Sequence, residues 1–498
     1  MAINSDAKAL KMQEKEQKLL AYFKRQKAKP KPKLYLIYMI FILALIYIVD
    51  EVATNLPNSL ETELNIFYVG MPLVNSGAFT LDQLLAVGYN GIVEPAEIYQ
   101  SLSKGLSTIG IIKLVANATL VLGMFYRPLS DRYGRKIFLF INTIGMAAAL
   151  FVIFTASNLW VYALGFFALR FFVTPDQQVV YLYELAPDKW RNTALSITKG
   201  VAEFGLVFVW LLRKLFLKEE VPSSFRWIFL SVAIAAAVVA FIALLCARES
   251  DVFLDSRIEY LSKTPEQRKE EAKAKDASKA QGGFIAALKY TFHNKQLLWI
   301  MIATAVMEIG YSCCNNYANV LNNGFLGQGA LSQDQATEVT FWFPFTCALV
   351  TLIYGFISDK WGRKPTSIIL LSSATIAFVL EFVGLYFRWP TFLIGLFLGI
   401  VLGADWSNGD LYAMMAGESC TTNLRASIMS VWSLFFGFGM ITSMGIASAL
   451  PAIFGKQNLA LGYFAVAVPV WVIALIILTL KVKETKGSDL SVAGKENA

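Results

Sequence analysis

The sequence carries little charge for its length. Of its 498 residues, 16% are charged and 56% are hydrophobic, and the mean hydropathy is +0.53. Soluble globular chains carry about 25% charged and about 45–50% apolar residues. This deficit excludes a disordered, collagen-like or disulfide-scaffold protein and argues against a large soluble enzyme. An apolar surplus over this length predicts many membrane spans.

Residues that commonly hold metals or carry out acid–base chemistry are also scarce. The one histidine, His293, has no cysteine or histidine at metal-ligand spacing, and the five cysteines show no CxxC spacing. These cysteines fall in or beside apolar segments, where they behave as small hydrophobic residues. The sequence contains no GxxxxGK[ST] phosphate-binding motif. We therefore expect no metal site, no cofactor and no enzymatic activity.

Twelve apolar segments have transmembrane length, at about 20 residues each. They begin near Leu34, Ile109, Ile137, Leu159, Ala194, Trp227, Leu297, Thr337, Ser367, Thr391, Ile428 and Leu461. The segments divide the chain into a basic tail at 1–33, a six-helix half at 34–247 with a long loop at 58–108, a central loop at 248–296, a second six-helix half at 297–480 and a tail at 481–498.

Lysine and arginine indicate how the chain is oriented. The tail at 1–33 and the central loop at 248–296 carry ten basic residues each, whereas the loop at 58–108 carries only Lys104. Because cytoplasmic segments are enriched in lysine and arginine, both termini are expected in the cytoplasm, as in a multi-pass protein of the plasma membrane. The net charge of +8 is thus assigned to membrane topology. We expect the lipid bilayer as a partner, no nucleic acid, and a monomer.

Two pairs of segments recur about 230 residues apart. The segment 129–136, between spans two and three, matches 355–364, between spans eight and nine. The segment 184–191, which ends span four, matches 418–425, which ends span ten. A membrane protein built from two six-span halves is typical of transporters that rock around a central site.

The D-[RK]-x-G-R-K loops and the E-x(6)-R segments resemble the major facilitator superfamily, in particular its sugar-porter and organic-ion-porter branches. The resemblance extends from about Leu34 to Leu480. It implies an all-α polytopic membrane protein, with twelve transmembrane helices in two pseudo-symmetric six-helix halves. Two positions depart from the family pattern, since Arg127 replaces the first glycine of the loop motif and Leu164 replaces an arginine of span four.

The same resemblance implies that the repeated charges form a cytoplasmic network that biases the protein between outward-facing and inward-facing states. A carboxylate at the start of a helix can accept its free backbone N–H groups. The alternative is that these charges only signal topology. The residues of the predicted network are Asp131, Arg132, Arg135, Glu184, Arg191, Asp359, Arg363, Glu418 and Arg425.

Charges inside the apolar segments are the best guide to a binding site. About ten such charges would cost about 25–35 kcal/mol against lipid, so they must face a wet cavity or one another. At a rise of about 1.5 Å per residue, Arg170, Glu308 and Asp405 lie near the membrane midplane. Neighbouring amides and aromatic rings suit a hydroxylated solute. The predicted substrate-binding residues are Arg170, Gln177, Glu308, Asn315, Asn316, Asp405, Trp406 and Tyr412.

Several other intramembrane charges have more than one interpretation. Asp50 and Glu51 are candidates for proton coupling, because Asp50 resembles the coupling carboxylate of symporting branches; the alternative is a solvated vestibule. Lys113 either extends towards the interface or pairs with Asp50. Lys199 is expected to pair with Glu203 at i,i+4. Glu381, in span nine, lies in a span expected outside the cavity and has no assigned role.

The sequence therefore predicts a proton-coupled secondary active transporter that moves a small polar organic solute by alternating access. The substrate is a sugar or polyol, or else an organic anion held by Arg170. The alternative is a transporter-like receptor that senses a nutrient without moving it. A membrane enzyme is a third and much weaker hypothesis, because the sequence offers no plausible pair of nucleophile and base.

Overall fold

The computed structural model describes residues 2–30, 34–89, 92–119, 122–123, 126, 129–130, 133–173, 177–185, 191–264, 266–268, 270, 284–420 and 425–486. Within these ranges the chain is helical, and the only extended pairing is an isolated bridge between Phe325 and Gln328. An all-α fold follows from the long apolar segments, because a helix satisfies its own backbone hydrogen bonds within the bilayer.

The spans form two groups of six, numbered one to twelve in chain order. In the first half they are Tyr35–Ser59, Ala96–Ala116, Arg135–Thr155, Leu159–Val173 with Gln177–Leu185, Arg191–Phe204 with Val207–Phe216, and Arg226–Cys246. In the second half they are Lys295–Glu308 with Tyr311–Asn315 and Tyr317–Asn323, Gln333–Trp361, Arg363–Tyr386, Thr391–Glu418, Arg425–Phe454 and Leu459–Lys481.

Within the described part of the chain, ten helices are long and apolar enough to cross a membrane; spans two and four are the other two of the predicted twelve. The predicted fold, with twelve helices in two halves, is confirmed. The helix of span two begins at Ala96, thirteen residues before the expected start at Ile109. Hydropathy misses this first part because polar residues alternate there with the buried Ile98 and Leu102.

The two faces of the bundle differ in what covers them. One face, which we call the terminal face, holds both ends of the described chain, where Gln296 Nε2 donates to the carbonyl of Lys483 at 3.0 Å. The helices Ala2–Lys27 and Asp251–Ser262 pack together there through the rings of Phe23 and Phe253. The tail expected at 1–33 thus contains a helix that contacts the central region.

The opposite face, which we call the distal face, carries a small helical cap between spans one and two. The distal cap consists of Glu61–Asn65, Ile66–Gly70, Met71–Asn75 and Leu81–Tyr89. Its core is separate from that of the bundle and is formed by Ile66, Leu84, Val87, Tyr89, Ile98 and Leu102. The segment predicted as a loop at 58–108 is therefore largely helical.

The halves meet along two seams, span two against span eleven and span five against span eight. Glycine permits close approach at both seams. A Cβ atom at Gly110 would lie 2.8 Å from Cβ of Ser448, and one at Gly355 would lie 2.7 Å from Oγ of Ser196. The space between the seams holds the site described next.

Candidate functional site

A polar cavity lies between the two halves, at the centre of the bundle. Spans one, two, four, seven and eleven contribute to its wall. Its polar lining is rich in amides, which both donate and accept hydrogen bonds. The amides and cations of this lining are Asn58, Lys113, Asn117, Arg170, Asn315 and Asn316.

Span seven contributes most to the cavity because its helix is interrupted. Regular helix stops at Glu308, resumes at Tyr311 and stops again at Asn315, before a final segment from Tyr317. At the first break, a Cβ atom on Gly310 would overlap the indole of Trp471, so only glycine allows this packing. Interrupted helices are tolerated at membrane depth where they line a cavity, and they leave backbone groups free for a solute.

Two cations reach the cavity wall from the first half. Nη2 of Arg170 donates to Oδ1 of Asn117 at 3.3 Å. Nζ of Lys113 lies 2.9 Å from Oε2 of Glu61 and 3.0 Å from Oδ1 of Asn316. The expected partner of Lys113 was Asp50; the structure gives Glu61 instead, because the distal cap folds back over the end of span one.

Asp50 lies in span one, where it packs against span four. It is 7% exposed, and its Oδ2 accepts a hydrogen bond of 2.8 Å from Nε2 of Gln178. Glu51, the neighbouring candidate, accepts from Nδ2 of Asn55 at 3.5 Å. Spans one and four are therefore joined by a buried carboxyl–amide contact. The role of Asp50 in proton coupling stays a prediction.

The eight predicted substrate-binding residues separate into groups. Arg170, Asn315 and Asn316 line the cavity. Three others pack inside the second half, behind the wall, while Trp406 is half-buried and the side chain of Gln177 lies outside the described residues. The three that pack inside are Glu308, Asp405 and Tyr412.

Span five connects to the second half through charge. Nζ of Lys199 lies 2.5 Å from Oδ2 of Asp410, which also accepts from the Tyr354 hydroxyl at 2.9 Å. Glu203 accepts from the Cys347 thiol at 3.5 Å. Lys199 was expected to pair with Glu203, with which it interacts electrostatically, and it also makes an ion pair with Asp410 that connects the halves.

The first charge network lies on the terminal face. Nη2 of Arg135 lies 2.8 Å from Oε1 of Glu184, and its Nη1 donates to the Ser130 hydroxyl at 2.7 Å. Oε1 of Glu249 accepts from the backbone N–H of Arg135 at 2.8 Å, so it caps the start of span three. Burial raises the pKa of Glu249, and its backbone hydrogen bonds act in the opposite direction.

The second network repeats the first almost atom for atom. Nε of Arg363 lies 3.2 Å from Oε1 of Glu418, and Nη1 donates to the Ser358 hydroxyl at 2.7 Å. Glu484 caps span nine by accepting from the backbone N–H of Arg363 at 2.9 Å. Asp359 adds an ion pair with Arg363 at 2.8 Å. Asp131 and Arg132 lie outside the described residues, as do the side chains of Arg191 and Arg425.

The two capping glutamates were missed by the sequence analysis. A signal was available, because Arg248-Glu249-Ser250 and Lys483-Glu484-Thr485 recur 235 residues apart, by subtraction of positions, close to the offset of the other repeats. The loop glycines fit these caps. Gly134 and Gly362 have φ of 118° and 112°, and a Cβ atom at either would collide with the carboxylate of its capping glutamate.

Replacing Glu249 by alanine should therefore destabilise the protein. The change leaves the N–H groups of Arg135 and Lys136 without their acceptor, and losing such a cap costs about 0.5–2 kcal/mol. We expect a lower midpoint of thermal unfolding in detergent. Glu259→Ala, which removes an exposed carboxylate paired with Lys263, is the control. Equal midpoints for the two variants would argue against a capping role.

The distal face is closed by contacts between the halves. Arg213, at the end of span five, is 3% exposed and donates to the carbonyl of Ser59 at 2.5 Å, to Glu63 at 3.2 Å and to the hydroxyl of Thr337 at 3.0 Å. In the sequence, Arg213 resembles an ordinary basic residue at a membrane boundary, so its role was not predicted. Its three partners show that it joins span one, the distal cap and span eight.

Lys456, in the turn between spans eleven and twelve, also reaches the distal cap. Its ammonium donates to the carbonyl of Val87 at 2.6 Å and to that of Gly88. Burial lowers the pKa of Lys456 to about 7. Opening of the distal face would return this amine to water and to its ordinary pKa.

The pKa of Lys456 thus differs between the closed and open states, so closure of the distal face depends on pH. Between about pH 7 and the ordinary pKa of lysine, near 10.4, the open state binds more protons than the closed state, so raising the pH favours closure. Asn58→Cys places a cysteine at the cavity wall, and its rate of reaction with a maleimide reports how often the distal face opens. Between pH 7 and 9 we expect this rate to fall relative to the rate for the same cysteine in a protein that also carries Lys456→Met. Parallel pH profiles in the two backgrounds would contradict the prediction.

Two six-helix halves, a polar cavity between them and matched charge networks at one face define a transporter of the major facilitator superfamily. The family model described as "Sugar (and other) transporter" matches residues 90–494. The chain belongs to this family. No curated protein matches the sequence.

Solved structures share the fold at low sequence identity. A D-xylose–proton symporter is 16% identical, with a TM-score of 0.65, over 91% of this chain and 99% of the other. The xylose transporter XylE from E. coli, partially occluded and inward-open, is 17% identical, with a TM-score of 0.61, over 92% and 100%. The human organic anion transporter MFSD10 is 15% identical, with a TM-score of 0.56, over 90% and 100%.

Proposed function

We propose that this protein is a proton-coupled secondary active transporter of a neutral polyhydroxylated solute, a sugar or polyol of monosaccharide size. The observation that carries the proposal is the amide-rich cavity between the halves, to whose wall Asn117, Asn315 and Asn316 bring amide donors and acceptors. Some of these groups are already hydrogen-bonded to Arg170, Lys113 and the carbonyl of Tyr311. Paired donors and acceptors match a hydroxyl group, which is itself both. The family description and the two xylose transporters among the structural neighbours support the same substrate class.

The charges on the wall favour a neutral solute over an anion. Glu61 lies 2.9 Å from Lys113 and offsets its charge. Arg170 is hydrogen-bonded to an amide, Asn117, and in this geometry it can donate to a hydroxyl of the solute. An organic anion is the second candidate, favoured by Arg170 and by the likeness to an organic anion transporter.

Alternating access would use the contacts at the two faces. The distal face is held shut by Arg213 and Lys456, and the terminal face carries the networks around Arg135 and Arg363. We infer that the terminal face is cytoplasmic, because the basic tail and central loop lie there, and that the protein works as a monomer in the plasma membrane. The closed distal face then corresponds to a state closed to the outside.

The substrate class can be tested by binding alone. Neutral monosaccharides and polyols should raise the midpoint of thermal unfolding of the purified protein, since a ligand that binds only the folded state stabilises it. Simple carboxylates should not. A shift with carboxylates and none with sugars or polyols would overturn the neutral-solute proposal in favour of the anion.

Arg170→Ala separates the two candidates further. For a neutral sugar, the change removes one charge-assisted hydrogen bond, worth about 1.5–3 kcal/mol, so binding should weaken by roughly 10- to 100-fold and persist at high concentration. Binding of an anion should be lost. Lys104→Ala, in the segment of span two beyond the cavity, is the control for a lost cation and should bind as the wild type does.

A further inference from the structure

Two acidic side chains lie together inside the second half, away from the polar cavity. Glu308 of span seven and Asp405 of span ten are 2% and 3% exposed. A Cβ atom on Gly409, one turn after Asp405, would lie 3.8 Å from Oε1 of Glu308. The two carboxyl groups interact electrostatically with each other. They form what we call the acid pair.

The surroundings of the acid pair do not compensate two negative charges. Oε2 of Glu308 and Oδ1 of Asp405 have no hydrogen-bond partner, and the Cys314 thiol, 3.9 Å from Oδ2 of Asp405, is a weak donor. Among the residues that the structure describes, no ion pair reaches either carboxyl group. Because an isolated buried carboxylate is very costly, the two groups cannot both be ionised, and at least one proton is bound.

Another donor near the acid pair is also unsatisfied. Nδ2 of Asn408 is buried on the same helix as Asp405 and has no hydrogen-bond partner, while the buried hydroxyl of Tyr412 interacts with Ser367. Span eleven closes the site from the other side, where a Cβ atom on Gly439 would lie 2.6 Å from Cβ of Glu308. The pair is thus buried between spans seven, ten and eleven.

The titratable groups around the acid pair come from several elements. Span eleven carries none after Arg425. Span twelve packs against span seven here through the Trp471 indole, which donates to the carbonyl of Met307 and does not titrate. The titratable groups that interact with the pair, directly or through one intervening side chain, are Tyr311, Cys313, Cys314, Tyr412, Arg170 and Glu381.

Tyr311 connects the acid pair to the cavity. It follows the first break in span seven and lines the cavity wall. It interacts electrostatically with Arg170 on the cavity side and with both Glu308 and Asp405 on the other side. A phenolic hydroxyl both donates and accepts, so it can pass a proton between cavity water and the pair.

We propose that Glu308 and Asp405 form a proton-binding site in the second half, which holds one shared proton at neutral pH and exchanges it with the cavity through Tyr311. This site is separate from Asp50, which lies in the first half. Its role in coupling rests on the proposed transport function, whereas proton binding itself does not.

Infrared pH titration of the purified, solute-free protein in lipid nanodiscs tests proton binding directly. Two interacting carboxyl groups titrate in two separated steps that belong to the pair. We expect two steps in the carboxylic-acid band after the double variant's titration is subtracted from that of the wild type, and one step when it is subtracted from that of Glu308→Gln or of Asp405→Asn. Glu381→Gln, another buried carboxyl group, is the control and should keep both steps.

Two results would overturn the proposal. One is a wild-type titration equal to the sum of the two single variants, since that shows independent groups. The other is the absence at pH 7 of any band that the double variant removes. If the carboxyl variants fold poorly, Tyr311→Phe offers a test that keeps both carboxyl groups. This variant should slow hydrogen–deuterium exchange of the pair without changing its two titration steps. Unchanged exchange would show that the proton does not pass through Tyr311.

These outcomes are distinct from failure of the proposed function. If the two-step titration is present but the wild type moves no monosaccharide, the transport proposal fails and the proton site stands. If monosaccharide transport is present and the titration shows independent groups, the proton site fails and the transporter stands. In a functional arm, Glu308→Gln should retain exchange of D-xylose across the membrane and lose its accumulation against a gradient.

Discussion

Replacing Arg213 by methionine should open the distal face. The change removes a buried cation and leaves Glu63, 3.2 Å away, as an unpaired buried carboxylate. Breaking a buried pair in this way costs about 3–5 kcal/mol. Because Thr337 of the second half contacts Arg213 in the closed state, we expect that cost to fall on the closed state, and the equilibrium should shift by roughly 100-fold or more towards the open state.

The shift can be measured by the accessibility of the cavity from the distal side. A cysteine at Asn58, on the cavity wall, should react slowly with a membrane-impermeant maleimide in the otherwise unchanged protein and much faster with Arg213→Met. The matched control is Lys214→Met, which removes the neighbouring, exposed cation that pairs with Asp334 at 2.8 Å. Equal labelling rates in the Arg213 variant and the control would show that Arg213 does not hold the distal face closed.

Asp50→Asn should uncouple transport from the proton gradient. Asparagine keeps the size of the side chain and can still accept the hydrogen bond from Gln178, but it cannot bind a proton. If Asp50 carries the coupling proton, the variant should lose accumulation driven by a pH gradient and keep exchange of solute at equal concentrations. Loss of both activities would indicate a structural role.

The matched control for Asp50 is its neighbour. Glu51→Gln removes a carboxylate one residue further along span one, where it contacts Asn55. If Glu51 is the coupling residue instead, the pattern of lost accumulation with retained exchange should appear in that variant and not in Asp50→Asn. Gradient-driven accumulation in both variants would direct the search to the acid pair in the second half.

The sequence predicts the fold well because its main signals are local and long. Apolar segments of membrane length fix the number of spans, and the repeated segments around Arg135 and Arg363 reveal the two halves. The ion pairs of these arginines with Glu184 and Glu418 could be expected from the family resemblance, and the structure contains both.

The partners of the isolated charges were harder to predict because they depend on contacts distant in the sequence. Lys113 pairs with Glu61 and Arg213 with Glu63, and both glutamates belong to a short helix that hydropathy places in a loop. The position of a residue along a span also does not show whether its side chain points into the cavity or into the interior of its own half. Glu308 and Asp405 were expected near the midplane and at the binding site, yet they are buried inside the second half and do not line the cavity.

The proposed function requires that a neutral sugar or polyol moves through the central cavity and that a proton gradient drives this movement. Uptake of labelled D-xylose, D-glucose and a polyol into proteoliposomes with an acidic exterior tests it most directly. We expect at least one of them to accumulate above its external concentration, and a protonophore to abolish the accumulation. Binding of a sugar without any flux under any gradient would contradict proton-coupled transport. It would favour a sensor that binds the solute and does not transport it.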